Sequence, residues 1–373
     1  MTTDPRFRIE RVVSHPLRAT LPVVQRTSQG EHPSVDIVVV EVFTADGVVG
    51  LGECLARKGA AAYARFIDDI VAPRIIGQDA RDRRGIWALM RSALTGRAGG
   101  QIIECMAGID IALWDIVGKA LEQPIYRLLG GMGTRAIPAY ASSINWFADE
   151  LVEKEVEAAL RAGFREIKVK IAHPVAEAIA RARFVRQQVG DAVALYADAN
   201  WAFDLPDAQR VGRALSDLDF GFFEEPLRPE DRAGYLRLAE SVPIRLAAGE
   251  SDFVASEAAQ MLVDRSIGVI QPDVARSGGI TETWRIAELA AVFQTAYAPH
   301  VGWSGAICEA ASLHLAAAAQ ATRTFEKMVF SNPLREELCE GIPPMTDGHV
   351  RPPEGPGLGI ELDRTALKRM RLS

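Results

Sequence analysis

In the second half of the chain, short apolar runs alternate with amphipathic segments, and most of the runs end in an ionisable residue. Seven of these runs read REIKVK, ALYADAN, GFFEEP, RLAAGE, GVIQPD, TAYAPH and RTFEK, and IPAYASS precedes them. Segments with helical periodicity, such as VAEAIARARFVRQQV and ITETWRIAELAAVFQ, lie between the runs. The terminal polar residues recur every 23 to 28 positions, close to the unit length of an eight-stranded β/α barrel, about 30 residues. The pattern therefore predicts the α/β class and a (β/α)8-type TIM barrel.

The first third of the chain has a different pattern. SVDIVVVEVF and VVGLGEC flank Ala45-Asp46-Gly47, and a DG step between two apolar runs predicts a β-hairpin. The preceding stretch, LPVVQRTSQGEHP, is predicted to be a polar loop. From about Ala60 to Leu129 apolar residues recur at helical spacing until Gly130-Gly131. Strands followed by helices indicate a small α+β domain.

These two patterns divide the 373 residues into an N-terminal α+β capping domain and a barrel domain, since the chain is long for a single core. We predict a capping domain over residues 1–131, with the boundary near Gly131–Thr134. The barrel with the active site would cover residues 132–330. The tail, residues 331–373, is rich in Pro and Gly and is expected to pack back on the capping domain and complete it.

Charge and apolar content limit the partners. The net charge is −7 and there is no basic run, which argues against nucleic acid. The chain has no stretch of about 18 uncharged apolar residues, which a membrane-spanning helix would need. The first ten residues, MTTDPRFRIE, lack the apolar segment of a secretory signal. Four separated cysteines without a CxxC motif are expected to be reduced thiols. We expect a cytoplasmic protein whose partner is a small molecule.

Two lysines occupy one predicted strand. Lys168 and Lys170 are two positions apart, so both side chains point to the same face. An isolated KxK is more often an exposed strand face. Here the flanking apolar residues would face the outer helices, which directs both lysines into the barrel mouth. Two close ammonium groups would lower each other's pKa and make one of them a usable base.

Asp198, Glu224 and Glu250 end three consecutive predicted strands. Each alone could be a helix cap or part of a structural ion pair. Three carboxylates that converge at a barrel mouth repel one another unless a cation lies between them, and oxygen ligands favour Mg²⁺. The absence of Cys and His from this set argues against zinc. Asn200, on the same face as Asp198, could donate to a substrate oxygen.

Asp273 and His300 end the next two strands, and a carboxylate that holds one imidazole nitrogen orients the ring and raises its basicity. Glu326 ends the eighth strand and could also be a plain surface glutamate. Two bases with a metal and a lysine between them would suit removal of a proton next to a carboxylate. The chain has neither a GxSxG elbow nor a P-loop. The other histidines are assigned to loops or helix faces: His15, His32, His173, His314 and His349.

The motifs KVK, DAN, EEP, GES, QPD, PH and FE, with AGIDIALWDIVGK and GPGLGIELD, closely resemble the enolase superfamily, and within it the mandelate racemase subgroup. The resemblance implies Lys170 as one base and Lys168 as the cation that faces the substrate carboxylate. It implies Mg²⁺ on Asp198, Glu224 and Glu250, and the Asp273–His300 pair as a second acid/base. It further implies that Glu326 hydrogen-bonds the substrate carboxylate and that the protein is a homo-oligomer.

In this family, loops of the capping domain choose the substrate. The resemblance therefore assigns substrate contacts to the loop from Leu21 to His32, with Gln25 and Arg26 singled out. The polar residues of this loop suit a polyhydroxylated acid better than an aromatic one: Gln25, Arg26, Thr27, Ser28, Gln29 and Glu31. The loop GLGECLARK adds Arg57 and Lys58, which could also be simply solvated. Trp303 would wall the pocket, although large aromatic residues more often serve packing.

The resulting functional hypothesis is an Mg²⁺-dependent dehydratase that converts an aldonate or aldarate to a 2-keto-3-deoxy acid. An aldarolactone cycloisomerase, or a racemase or epimerase of a 2-hydroxy acid, is the first alternative from the same subgroup. The second alternative is a catalytically silent scaffold that keeps the fold and the metal.

Overall fold

The computed structural model describes residues 4–93, 99–131, 136–144 and 148–372. Its first element is an antiparallel sheet in which the central strand pairs with both others. The strands are β1 (Ile9–Thr27), β2 (Gly30–Thr44) and β3 (Val49–Leu55). Between β2 and β3 the chain turns at Gly47, which has φ 84° and donates its N–H to the Thr44 carbonyl at 3.0 Å. The predicted DG hairpin is confirmed.

The prediction of a polar loop before this hairpin is wrong. β1 and β2 continue through it as paired strands, with Gln25 opposite His32 and Thr27 opposite Gly30. An irregularity between Thr20 and Gln25 resets the register, and Gly30, at φ 113°, allows the tight turn. His15 and His32 therefore lie in strands rather than in loops, and so does His349.

Helices cover one face of the sheet, as the periodicity predicted. They are α1 (Ala60–Phe66), a π-helical turn (Ile67–Val71), α2 (Ala72–Ile75), α3 (Arg83–Ser92), α4 (Gln101–Ala120) and α5 (Ile125–Leu128). α4 lies against β3 at very short range: a Cβ atom at Gly52 would fall 1.7 Å from the Gly108 carbonyl oxygen. Only glycine permits this approach.

Eight parallel strands form the second body, in the order that the sequence predicts, and this confirms the α/β fold class. They are β4 (Ile137–Ile144), β5 (Glu166–Lys170), β6 (Ala194–Asp198), β7 (Phe220–Glu224), β8 (Leu246–Ala248), β9 (Val269–Ile270), β10 (Ala296–Tyr297) and β11 (Phe325–Met328). β11 pairs with β4. At the other edge Tyr297 exchanges backbone hydrogen bonds with Ala321 and Arg323, at 2.8 and 2.9 Å, so the sheet curls into a closed barrel.

Helices alternate with these strands and bury their apolar faces against the outside of the barrel. They are α6 (Asp149–Arg161), α7 (Val175–Val189), α8 (Leu205–Asp217), α9 (Arg232–Ser241), α10 (Ala255–Val263), α11 (Gly279–Val292) and α12 (Ala306–Ala318). Inside the barrel, the end where the strands begin is filled by aromatic rings: Tyr196 and Phe222 stack at 4.0 Å. The ionisable residues at or just after the strand ends lie at the opposite end.

The tail contacts both bodies. Its elements are α13 (Pro333–Glu336), β12 (Cys339–Glu340), β13 (His349–Val350), β14 (Glu361–Leu362) and α14 (Arg364–Met370). β13 adds to the barrel beside β4, whereas Arg364 makes two hydrogen bonds, of 2.6 and 2.8 Å, to Glu41 of β2. The predicted boundary after residue 131 adjoins residues 132–135, which lie outside the described residues. Within the described part of the chain, every helix is too short or too polar to cross a membrane.

Candidate active site

The ionisable residues that end the barrel strands lie at one end of the barrel. Lys168 and Lys170 belong to β5, and the others end β6 and β7, follow β8, β9 and β10, or lie in β11. All but Lys170 are at most 5% exposed. The structure thus brings together the residues that the spacing singled out: Lys168, Lys170, Asp198, Glu224, Glu250, Asp273, His300 and Glu326.

Asp198, Glu224 and Glu250 form a compact cluster of carboxylates. One oxygen from each lies within 4.8 Å of the others, and none is more than 3% exposed. Burial and the neighbouring charge of Asp198 raise the pKa of Glu224 to about 8, which shows how strongly the set disfavours three negative charges. Three buried carboxylates with oxygen ligands only fit a hard divalent cation.

Lys168 is buried against this cluster. Its Nζ lies 2.5 Å from Glu224 Oε1 and 2.8 Å from Glu326 Oε1. Burial alone would lower the pKa of Lys168, but the charges of Glu224 and Glu326 raise it well above its usual range. The expectation that the paired lysines lower each other's pKa is therefore wrong for Lys168, which is held as a fixed positive charge.

Lys170 lies closer to solvent, with a side chain that is 11% exposed. Its Nζ contacts Asp198 and donates a 2.9 Å hydrogen bond to Asn200 Oδ1. Asn200 has φ 42°, and its backbone N–H donates to Asp198 Oδ1 at 2.8 Å. Asn200 therefore fixes the lysine and the carboxylate relative to each other.

His300 is held by a carboxylate on one side and faces the cluster on the other. Its Nδ1 lies 2.8 Å from Asp273 Oδ2 and its Nε2 lies 3.2 Å from Glu250 Oε2. Burial would lower the pKa of His300, but Glu250, Glu326 and Asp273 raise it to about 9. A Cβ atom at Gly302 would fall 2.1 Å from the imidazole Cε1, so the glycine leaves room for the ring.

Both oxygens of Glu326 are occupied. Oε1 accepts from Ser142 Oγ at 2.6 Å and from Lys168. Oε2 accepts from the backbone N–H groups of Val301 and Gly302 at 2.7 and 3.2 Å. Burial would raise the pKa of Glu326, but the charges of Lys168 and His300 lower it well below its usual range. A donated hydrogen bond to a substrate carboxylate would thus require protonation of Glu326.

A cavity of about 340 Å³ lies between these residues and the N-terminal sheet. Lys170, Glu250 and His300 line its barrel side, and Asn200 and Trp303 also line it. From the N-terminal body come polar side chains, namely Thr27, Gln29, His32, Ser34, Arg57, Lys58, Tyr63 and Gln101. Trp303 thus lies where the sequence placed it, and its ring lies 4.7 Å from that of His32.

The predicted contacts through Gln25 and Arg26 need correction, because neither is among the described residues that line the cavity. Gln25 is 2% exposed and its amide donates to the Val23 carbonyl. Arg26 points to solvent and pairs with Glu31. The turn itself supplies the contacts to the barrel instead: Ser28 Oγ and Gln29 Nε2 donate to the Asn200 carbonyl at 2.6 and 2.9 Å.

Gln29 belongs to the loop that was expected to contact the substrate, whereas His32 lines the cavity without having been assigned a role. The hairpin register brings His32 opposite Gln25, with the turn between them. Because side chains alternate across a strand, recognising the hairpin would have separated the residues that face the cavity from those that do not. The polar alternation in VVQRTSQGEH was the available signal.

Comparison with known proteins agrees with this geometry. Residues 8–130 match the family model "Mandelate racemase / muconate lactonizing enzyme, N-terminal domain", and residues 151–366 match "Enolase C-terminal domain-like". The chain is 35% identical to an arabinonate dehydratase of Saccharolobus solfataricus, covering 89% of each chain. It is 33% identical to a D-galactarolactone cycloisomerase of Agrobacterium fabrum, covering 90% of this chain and 91% of the other.

Solved structures lead to the same family. A racemase from Streptomyces coelicolor with bound magnesium superimposes with a TM-score of 0.91 at 28% identity, over 98% of this chain and 100% of the other. The two matched models together span more than half of the 373 residues. The chain belongs to the mandelate racemase / muconate lactonizing enzyme family of the enolase superfamily.

Proposed function

We propose that this protein is an Mg²⁺-dependent acid-sugar dehydratase, which removes the proton α to a carboxylate and expels a β-hydroxyl to give a 2-keto-3-deoxy acid. The observation that carries the proposal is the placement of Lys170 and His300 on one cavity, beside a buried carboxylate cluster. The arabinonate dehydratase relative supports the substrate class. The magnesium-bound neighbour supports the metal.

Asp198, Glu224 and Glu250 would hold the cation. When bound, Mg²⁺ supplies positive charge beside the substrate carboxylate, where negative charge grows as the α-proton leaves. Lys168 adds a second positive charge whose place is fixed by Glu224 and Glu326. Because Lys168 is 1% exposed, its charge is little screened by water and acts strongly on the reacting carboxylate.

Lys170 and His300 would transfer the protons. One of Lys170 and His300 takes the α-proton, and His300 is the better donor to the departing hydroxyl. Asp273 holds His300 Nδ1, so that Nε2 is the nitrogen left to exchange a proton with a ligand. Asn200 keeps Lys170 in place through its amide oxygen.

The test is a screen of aldonates and aldarates with Mg²⁺, in which 2-keto acid is measured as its semicarbazone. Wild type should form keto acid from at least one sugar acid, and Lys170→Ala and His300→Asn should lose turnover. Keto acid formed at the wild-type rate by either variant would contradict that residue's role. Retention of Mg²⁺ without α-proton exchange on any acid sugar would favour a catalytically silent scaffold.

A second candidate is a cycloisomerase, racemase or epimerase of the same subgroup. Two proton-transfer groups on one cavity also suit removal and return of a proton, and one relative is a cycloisomerase. Solvent deuterium separates the candidates. Exchange at the α-carbon without a new keto product would exclude dehydration.

A further inference from the structure

The side of the cavity that the N-terminal body supplies is positively charged, through Arg57 and Lys58. Among the described residues that line the cavity, the side chains with a permanent charge are Arg57, Lys58, Lys170 and Glu250. The chain as a whole carries −7, so this excess of cations is a local feature. A cleft lined by one sign of charge attracts ligands of the opposite sign.

Arg57 is held in the cavity by an unusual backbone conformation. It follows β3 with φ 48°, a left-handed conformation that is strained in a non-glycine residue. Its Nη2 lies 3.4 Å from Glu250 Oε1, a long contact, and its Nε is buried without a hydrogen-bond partner among the described residues. A buried N–H group without an acceptor is costly, which indicates that a ligand oxygen completes the site.

Lys58 is next to Arg57 and lines the same cavity. Its ammonium makes no hydrogen bond or salt bridge within the described part of the chain. Arg57, Lys58, Lys170 and His32 all line this cavity, and burial, together with the charges of Lys58, Arg57 and Lys170, lowers the pKa of His32. His32 also packs against Trp303 at 4.7 Å, so this part of the cavity wall is fixed.

Neutralisation of Glu250 does not account for this arrangement. Glu250 already has His300 Nε2 at 3.2 Å, and a cation bound by the cluster would share its charge. Lys58 makes no contact with Glu250. The first carboxylate of a substrate would be bound beside the cluster and Lys168. Arg57 then keeps only its long contact to Glu250 and an unpaired Nε, and Lys58 has no anion within the described part of the chain.

We propose that the substrate carries a second carboxylate, at the end of the carbon chain away from the reacting carbon, and that Arg57 and Lys58 bind it. The ligand class is then the aldarates, which are dicarboxylic acid sugars, in preference to the aldonates, which have a hydroxymethyl group at that end. This inference rests on the proposed function and narrows its substrate class.

The test compares matched pairs of acids that differ only at the far end: galactarate with D-galactonate, and D-glucarate with D-gluconate. Values of kcat/KM would be measured with Mg²⁺ for wild type, Arg57→Gln and Lys58→Gln. Wild type should favour one of the aldarates over its aldonate. Loss of a charged hydrogen bond should lower the aldarate-to-aldonate ratio on the order of 10- to 100-fold for Arg57→Gln, and less for exposed Lys58→Gln.

Arg65→Gln is the matched control, because Arg65 lies in α1 of the same body, is 74% exposed and pairs with Asp69 on the surface. It should leave the ratio at the wild-type value. Because Arg57 also contacts Glu250, an equal loss on both acids in Arg57→Gln, with no change in Lys58→Gln, would show that Arg57 acts on the metal site and would overturn the inference.

Failure of this inference and failure of the proposed function give different results. If wild type makes keto acid from aldonates only, the proposed function stands and the inference is wrong. If no acid sugar reacts or exchanges its α-proton, the proposed function is wrong, and quenching of tryptophan fluorescence then decides the charge question, since Trp201 and Trp303 line the cavity. Tighter binding of galactarate than of galactonate, lost in Arg57→Gln, would support a second anion site, whereas equal binding would overturn it.

Discussion

Two sets of buried carboxylates in this protein have opposite surroundings. Glu53, Asp110 and Asp115 belong to the N-terminal body and are completely buried, and Asp198, Glu224 and Glu250 at the barrel mouth are nearly so. The first set meets donors, which are backbone N–H groups of Gly305 and Cys308 for Glu53, of Thr281 for Asp110, and of Leu51 and Leu358 for Asp115. In the second set the carboxylates lie next to one another, with one oxygen of each within 4.8 Å of the others.

The difference separates structural from functional buried charge. Glu53 connects the N-terminal sheet to the start of α12 at 2.6 and 3.1 Å, where the helix end favours negative charge. Burial raises the pKa of Glu53 to about 7 and that of Glu224 to about 8. For Glu53 the two backbone hydrogen bonds oppose this rise. Glu224 has two donors, Lys168 and Gln271, but the negative charge of the neighbouring Asp198 adds to the rise. The first arrangement is satisfied by the fold, whereas the second is completed by a cation.

The largest expected effect is on catalysis. Lys170→Ala should lower kcat by about 10²- to 10⁴-fold, the usual contribution of a positioned acid or base. Because Lys170 pairs with the buried Asp198, its loss should also lower the melting temperature when no Mg²⁺ is present. Turnover of the best substrate and thermal unfolding should be measured on the same preparation. Arg65→Gln, on the surface of α1, serves as the control for both.

Removing the negative charge of Glu224 should abolish metal-dependent stability. Wild type should gain about 2.7 kcal/mol from Mg²⁺ at 100 times its dissociation constant, and Glu224→Gln should gain little at the same concentration. Thermal unfolding with and without Mg²⁺ measures this difference. Equal stabilisation of the two proteins would show that Mg²⁺ binds elsewhere.

The same isosteric change at Glu53 should act on stability instead. Glu53→Gln weakens acceptance from the two N–H groups at the start of α12, and a buried donor that loses its partner costs about 1–3 kcal/mol. Denaturant unfolding should show this loss with and without Mg²⁺, and the increment from Mg²⁺ should remain. If Glu53→Gln instead removed the Mg²⁺ increment, the distinction between the two sets would fail.

A smaller, pH-dependent effect is expected where the tail meets the N-terminal sheet. Burial would raise the pKa of Glu41, but hydrogen bonds from His15 and Arg364 lower it from 4.5 to about 2. The contribution of the Glu41 carboxylate to the free energy of unfolding is therefore complete above about pH 4.5 and is lost as the pH falls towards 2. Arg364→Ala should cost about 1 kcal/mol near neutral pH.

Unfolding free energies of wild type and Arg364→Ala at several pH values check this expectation. The difference between the two free energies should decrease as the pH falls below about 4.5. Arg369→Ala removes an exposed pair with Glu337 and should show no comparable pH-dependent loss. A gap that widened in acid would contradict the assignment to Glu41.

The sequence was most informative where one strand-end residue recurred at each barrel unit. Spacing alone placed Lys170, Asp198 and His300 at one end of the barrel, because parallel strands of similar length end at the same level. It was less informative at the β1–β2 hairpin, where polar residues hid the alternation. Gln25 and Arg26 were singled out from a loop that also contains Gln29, and His32 was given no role. Residues that are brought together by the pairing of two strands do not recur at a fixed spacing in the sequence, so no periodic pattern identifies them.

The sequence pattern also did not predict the electrostatic surroundings of the strand-end residues. By spacing alone the two lysines of β5 are equivalent, and only the family resemblance distinguished them. In the structure Lys168 is buried between Glu224 and Glu326, whereas Lys170 faces the cavity. Likewise, nothing in the strand pattern showed that Glu326 accepts two backbone hydrogen bonds from the loop after His300. Such differences depend on the depth of each side chain and on which loop folds over it.

The most direct test of the account is the reaction of acid sugars in deuterated water with Mg²⁺, with α-proton exchange and keto-acid formation followed together. Wild type should form a 2-keto-3-deoxy acid, and both Lys170→Ala and His300→Asn should lose this product. Keto-acid formation that persists at the wild-type rate when both residues are replaced would contradict the account.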